Sequence, residues 1–164
     1  MAIKINTEKR IFTLETKHTM YQMQADTYGV LRHLWYGAKT GCDMSYLQDY
    51  PDVGFSGNPH DAGNDRTYSL DTLPLEYAGA GIGDFRVPAV EAVHADGSCA
   101  LDLRYYSHTV KQGKYAIAGL PALYAGEDEA ETLEVVLRDT ASAVEVTLKY
   151  GVLPELDVVT RCAE

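Results

Sequence analysis

The chain has 164 residues, 46% hydrophobic and 23% charged, and its 24 acidic against 14 basic side chains give a net charge of −10. One domain of about 150 residues fits that length, and the acidic balance excludes nucleic acid and anionic membranes as partners, because phosphate binding requires a surplus of Lys and Arg. No apolar run approaches the roughly 20 residues that cross a bilayer, no apolar stretch follows Met1-Ala2-Ile3-Lys4 to form a secretory leader, and Cys42, Cys99 and Cys162 lack the spacing of a disulfide framework or zinc cage, so a cytoplasmic protein is expected.

Hydrophobic periodicity is mostly two. Ile11 to Leu14, His18 to Gln24 and Val30 to Trp35 read as three short strands, the last two joined by Asp26-Thr27-Tyr28-Gly29. Residues 38–86 are rich in Gly, Asp, Asn, Pro and Tyr. They are expected to form a long ordered loop with a short helical turn around Ser45 to Gln48; loops of that length in a compact domain usually carry function or contacts. Val87 to His94 and Ser98 to Tyr106 flank Asp96-Gly97, a strong hairpin signal, with Cys99, Leu101, Leu103 and Tyr105 expected on one face. The acidic run Gly126 to Glu131 reads as a solvated loop. A second hairpin is expected from Leu133 to Leu137 through Asp139-Thr140-Ala141-Ser142, with Val144, Val146, Leu148 and Tyr150 alternating against Glu145, Thr147 and Lys149. Asp157 to Cys162 reads as a last strand, and the chain stops two residues later, which leads us to expect a piece of a larger domain. No stretch offers a sustained helical stripe. The fold class is all-β.

The composition contains 12 Tyr against 3 Phe and 1 Trp, a bias that suits sheet surfaces and wet interfaces. The five histidines show no ligand spacing, so no metal site is expected. Gly79-Ala80-Gly81-Ile82-Gly83 lacks the strand before and helix after that a dinucleotide loop requires; a turn that lets backbones approach closely is the better account. Polar density peaks from Asp52 to Arg86, with Phe55, Tyr68, Tyr77 and Phe85 interleaved. Forked Asp, Asn and Arg groups with aromatic faces suit hydroxyl-rich sugars, while a loop satisfying its own polar groups through Asx turns accounts for the same residues.

Phe55-Ser56-Gly57-Asn58-Pro59, the string from Gly63-Asn64-Asp65-Arg66-Thr67-Tyr68 through Leu75-Glu76-Tyr77, and Gly83-Asp84-Phe85-Arg86-Val87-Pro88-Ala89 resemble the N-terminal region of glycoside hydrolase family 36 α-galactosidases. The similarity continues through Asp96-Gly97-Ser98, Asp102-Leu103-Arg104-Tyr105, Gly119-Leu120-Pro121-Ala122, Glu131-Thr132-Leu133-Glu134 and Thr160-Arg161, so it spans essentially the whole chain. Gly57 stands where members of the family often carry Pro. The resemblance implies an antiparallel β-sandwich over residues 1–164, part of a β-supersandwich of the galactose-mutarotase type. It implies a following (β/α)8 barrel that carries both catalytic aspartates, so that no catalytic residue lies in these 164. It further implies retaining hydrolysis of terminal α-galactosides such as melibiose and raffinose, without a cofactor or metal. In tetrameric members this loop reaches a neighbouring subunit's pocket, and the matching residues here, Asp52 and Arg66, would contact galactose. A free-standing galactoside-binding module and a purely structural domain are the alternatives.

Overall fold

The computed structural model describes residues 1–48, 59–139 and 141–164. Its strands are β1 (Ile3–Asn6), β2 (Ile11–Glu15), β3 (Thr19–Ala25), β4 (Leu31–Ala38), β5 (Leu103–Gln112), β6 (Glu131–Asp139), β7 (Glu145–Leu153) and β8 (Val158–Ala163). They form two four-stranded antiparallel sheets, β1-β2-β3-β4 and β5-β6-β7-β8, each a meander in chain order. Among the described residues there is no α-helix, only 3-10 turns at Ser45–Gln48, His60–Ala62 and Pro154–Leu156. The all-β expectation is therefore met as an antiparallel β-sandwich.

Alternation places the core. Phe12, Leu14 and Met23 from the first sheet meet Leu133, Val135, Leu137, Leu148, Tyr150 and Val152 from the second, all fully buried, as period-two strands with one face inward require. Edge-on packing of Phe12 against His108, with ring centroids 5.0 Å apart, brings β2 onto β5. Met44, carried just before the Ser45–Gln48 turn, covers the outer face of the first sheet through Ile11, Met20 and Leu34. Register shifts between Gln22 and Met23 on β3 and between Tyr105 and Ser107 on β5 switch which residues face inward, as bulges do.

Carboxylates fasten one sheet to the other. Glu131 Oε2, at the start of β6, accepts the backbone N–H of Ala2 at 2.7 Å and of Ile3 at 2.9 Å. Asp157 has left-handed backbone (φ 53°), a conformation that Asp tolerates better than most residues. Its Oδ1 accepts Thr16 Oγ1 and the His18 N–H, each at 2.8 Å, and its Oδ2 lies 2.6 Å from His18 Nδ1. These contacts hold the β2–β3 turn against the turn before β8. The partners, His18 first, pull the Asp157 carboxyl from 3.8 down to about 2. A depressed folded pKa contributes stability above the unfolded value and loses it as pH falls through the folded one. Lowering the pH from about 4 to about 2 should therefore open this clasp, and Asp157→Asn should flatten that part of a plot of Tm against pH; an unchanged slope would contradict the clasp.

The structure corrects one hairpin. The Asp96-Gly97 turn closes, with His94 N–H on the Ser98 carbonyl at 2.9 Å, but residues 87–94 form no strand and β5 begins only at Leu103. Residues 78–80 lie between the two arms: Ala89 N–H reaches the Ala78 carbonyl and Leu101 N–H the Ala80 carbonyl, both at 2.9 Å. Cys99 is consequently exposed, whereas Leu101 and Leu103 point inward as expected. Among the described residues no strand lies between Ala38 and Leu103, so the irregular part continues to 102 rather than stopping at 86. Strand β1 was not anticipated, and β8 is an edge strand with Val158 and Val159 half-buried.

Candidate functional site: the polar loop and Arg66

The β1–β2 and β3–β4 turns and the start of β5 share one end of the sandwich; Tyr105 N–H donates to the Gly29 carbonyl there at 2.7 Å. At this end the polar loop is anchored. Asp26 opens the β3–β4 turn as an Asx turn, its Oδ1 accepting the N–H groups of Tyr28 and Val30 at 2.9 Å. Its Oδ2 accepts the Tyr68 hydroxyl, and the Tyr68 ring packs edge-on to Tyr28 at 4.8 Å. Burial, assisted by the hydrogen bond to Asp26, pushes the Tyr68 phenol well above its ordinary range, so it stays a donor.

Below Tyr68, Leu70 and Leu73 build a small second core with Val30 and Ala62. Arg86 closes it: Nη2 donates to the carbonyls of Leu70 at 2.8 Å and Leu73 at 2.6 Å, while Nε donates to Asp84 Oδ1 at 2.8 Å. Arg104 on β5 forks onto Asp102 at 2.6 and 3.0 Å, donates to the Tyr28 carbonyl at 2.9 Å, and stands 3.4 Å from Asp61. Buried carbonyls and carboxylates here have cationic partners, as burial demands.

Among the described residues Glu76 is the most buried acid of the loop, with its side chain 1% exposed. Residues 74–76 run along the edge of β4, where His33 N–H meets the Pro74 carbonyl and Glu76 N–H the Leu31 carbonyl. The carboxylate points between the sheets. It accepts the Tyr21 hydroxyl at 2.7 Å and the Tyr150 hydroxyl at 2.8 Å, with His33 Nδ1 at 3.4 Å and Arg161 Nη1 at 3.3 Å. Arg161 also donates to the Glu76 carbonyl at 2.6 Å. Burial alone would raise this carboxyl; the His33, Tyr21, Arg161 and Tyr150 contacts outweigh it and hold the group below its ordinary range.

Arg66 sits on the outer turn of this anchored loop and is exposed. Immediately before it, Asp65 Oδ1 accepts the Thr67 N–H at 2.9 Å and the Thr67 hydroxyl at 2.6 Å, fixing the backbone on both sides of the arginine. Those Thr67 bonds hold the Asp65 carboxyl below its usual range. Asp52, together with Phe55-Ser56-Gly57-Asn58, lies outside the described residues. The structure thus divides the polar stretch. Asp61, Asp65, Asp71, Glu76, Asp84 and Arg86 are engaged within the domain, and Arg66 is exposed. Of the aromatic residues considered for a sugar platform, Tyr68 is buried, Tyr77 packs on the core, and Phe85 is 83% exposed.

Sequence reasoning did not single out Asp26, Asp157 or Arg161 as anchors. An Asp opening a turn that closes on Gly is a readable Asx signal for Asp26. Nothing local marks Arg161, whose partner stands 85 residues away in sequence.

Fold and site together define an antiparallel β-sandwich domain whose polar loop is tied into its core. Residues 29–164 match the glycosyl hydrolase family 36 N-terminal domain, and the chain belongs to that family. It is 54% identical, over 98% of its length, to the bifunctional α-galactosidase/sucrose kinase AgaSK of Mediterraneibacter gnavus, of which it covers 17%. It superposes on the galactosidase domain of AgaSK with a TM-score of 0.95 at 53% identity, covering 99% of this chain and 22% of that one. The α-galactosidase AgaA A355E D548N of Geobacillus stearothermophilus, solved in complex with raffinose, gives a TM-score of 0.86 at 41% identity over 93% of this chain and 21% of that one. The chain therefore spans about a fifth of the length of these relatives.

Proposed function

We propose that this chain serves as the N-terminal domain of a cytoplasmic α-galactosidase that hydrolyses terminal α-galactosides of the melibiose and raffinose type with retention. The observation that carries the reading is its match, over nearly all its length, to α-galactosidases, one of them solved with raffinose. The chemistry belongs to a (β/α)8 barrel outside these 164 residues. There, two carboxyl groups about 5 Å apart would act as nucleophile and acid/base, as retention requires, with no cofactor.

This domain's own contribution is binding and assembly. Arg66 donates N–H groups to sugar hydroxyls and Asp52 accepts from them, a pairing matched in charge and fork geometry. In a tetramer both would act on a neighbouring subunit's sugar. The acidic balance suits a neutral substrate, and the three thiols are unpaired, as expected for a reducing compartment.

The test is the anomeric configuration of galactose released from melibiose by the complete polypeptide, followed by NMR from the first turnovers. α-Galactose is expected first, with none released by the 164 residues alone. Initial β-galactose, or hydrolysis by the 164 residues alone, would overturn the reading. Calorimetric binding of galactose to the 164 residues alone would favour the free-standing binding module instead.

A further inference from the structure

Arg66 occupies the first corner of a tight turn. The Tyr68 N–H donates to the Asp65 carbonyl at 3.3 Å, which closes Asp65-Arg66-Thr67-Tyr68 as a four-residue turn. The chain before it is folded in the same way, with the Asp65 N–H on the Ala62 carbonyl and the Gly63 N–H on the His60 carbonyl, both at 3.1 Å. These local bonds fix the shape of each turn. They do not fix where the turns sit on the domain.

Two side chains supply that placement, and they are unequal. Asp61, on the 60–62 turn, stands 3.4 Å from Arg104 of β5, but its carboxylate is 55% exposed, and ion pairs open to water hold little. Tyr68 closes the Arg66 turn and is buried, and its hydroxyl donates to the buried carboxylate of Asp26. A directional bond shielded from water in this way is the stronger constraint. Asp26 is itself fixed, since its other oxygen accepts the N–H groups of Tyr28 and Val30. The Tyr68 ring packs edge-on to Tyr28 and on the Val30, Leu70 and Leu73 cluster, contacts that a phenylalanine ring would keep. The hydroxyl therefore adds location rather than burial. It ties the closing residue of the Arg66 turn to the β3–β4 turn.

We propose that Tyr68 is a positioning residue for Arg66, its hydroxyl fixing on Asp26 the turn from which the guanidinium meets sugar. The role rests on the sugar contact of Arg66 given under the proposed function. A donor whose backbone is already held loses less freedom on binding, and a misplacement of about 1 Å costs on the order of 100-fold where geometry is demanding.

Tyr68→Phe in the complete polypeptide, alone and combined with Arg66→Ala, tests the role through kcat/KM for melibiose. Tyr68→Phe alone should lower kcat/KM by roughly tenfold. In the Arg66→Ala background the same change should lower it by less than about twofold, because the residue being positioned is gone. A merely structural tyrosine would reduce the active fraction equally in both backgrounds, so equal losses overturn the role. Wild-type kcat/KM in Tyr68→Phe overturns it as well. Should Tyr68→Phe leave too little folded enzyme, adding Asp26→Asn removes the unpaired buried charge, and the same comparison of backgrounds decides. Wild-type kcat/KM in Arg66→Ala sinks the sugar contact and the positioning role together, whereas a loss in Arg66→Ala that is not coupled to Tyr68 sinks the positioning role alone.

Discussion

Replacing Glu76 by alanine should destabilise the domain by about 3–5 kcal/mol, the cost of breaking a buried, hydrogen-bonded charge pair from one side. The change would leave the hydroxyls of Tyr21 and Tyr150 without an acceptor and Arg161 without its counter-ion. Because Tyr21 belongs to the first sheet and Tyr150 and Arg161 to the second, the loss falls on the junction between sheets rather than within one of them. At about 2–4 °C per kcal/mol for a chain of this size, a fall in Tm on the order of 10 °C is expected. Glu76→Gln keeps the shape and an acceptor but loses the charge, and should cost about half as much. The folded carboxyl titrates below its ordinary value, so its contribution is complete above that value and lost as pH falls through the folded one. Glu76→Gln should accordingly shrink the acid-induced loss of stability. Equal Tm for wild type and Glu76→Ala would show that the carboxylate does not join the sheets.

Gly79→Ala should be nearly as damaging, at about 3 kcal/mol, the upper end of overpacking costs. A Cβ built at Gly79 would lie 2.1 Å from the Leu101 carbonyl oxygen and 3.1 Å from its carbon. Both are backbone atoms that no rotamer change can move. The strand-like contact of residues 78–80 with the 89–90 and 101 segments depends on that approach, and Leu101 is fully buried behind it. Gly97 supplies the contrast. It has φ 85° but nothing within 4 Å of a Cβ, so Gly97→Ala should cost only the left-handed backbone penalty of about 1–2 kcal/mol. Chemical denaturation of the two variants separates a steric requirement from a conformational one. Equal costs would mean that the Leu101 backbone gives way and that close packing does not require glycine at 79.

Much of the sandwich was legible because half-buried strands alternate visibly. On β7 the expected Val146, Leu148 and Tyr150 are buried while Glu145 is exposed and Thr147 and Lys149 are half-buried. The three N-terminal strands, the Ser45–Gln48 turn and the last strand also fall where the pattern put them. Strand β1 escaped because Ile3–Asn6 is only four residues long and is specified by pairing with β2. Residues 87–94 misled because β-type composition says nothing of a competing backbone partner, and the glycine segment at 78–81 took that place.

The loop shows the same limit more sharply. The string Asn64 to Tyr77, which carries the family resemblance, is mostly architecture: Tyr68, Leu70 and Leu73 fill the small core and Glu76 joins the sheets. The tyrosine excess acquires a reason in the same way. Tyr68 and Tyr150 bury their rings and Tyr21 half-buries its own, each handing a hydroxyl to Glu76 or Asp26, a pairing in space that one-dimensional spacing does not report. Of the two substrate-contact residues that the resemblance implies, Arg66 is exposed on an anchored turn, and Asp52 lies outside the described residues.

The proposal that this anchored turn delivers Arg66 to sugar is tested most directly by kcat/KM for melibiose in the complete polypeptide carrying Arg66→Ala, with Asp52→Ala in parallel. Losing a charge-assisted hydrogen bond worth about 1.5–3 kcal/mol should lower kcat/KM by roughly 10- to 100-fold. The fall in Tm should stay small, about 2 °C or less, because exposed side-chain contacts contribute little to stability and Arg66 is exposed. Unchanged kcat/KM in the Arg66→Ala enzyme would contradict the role.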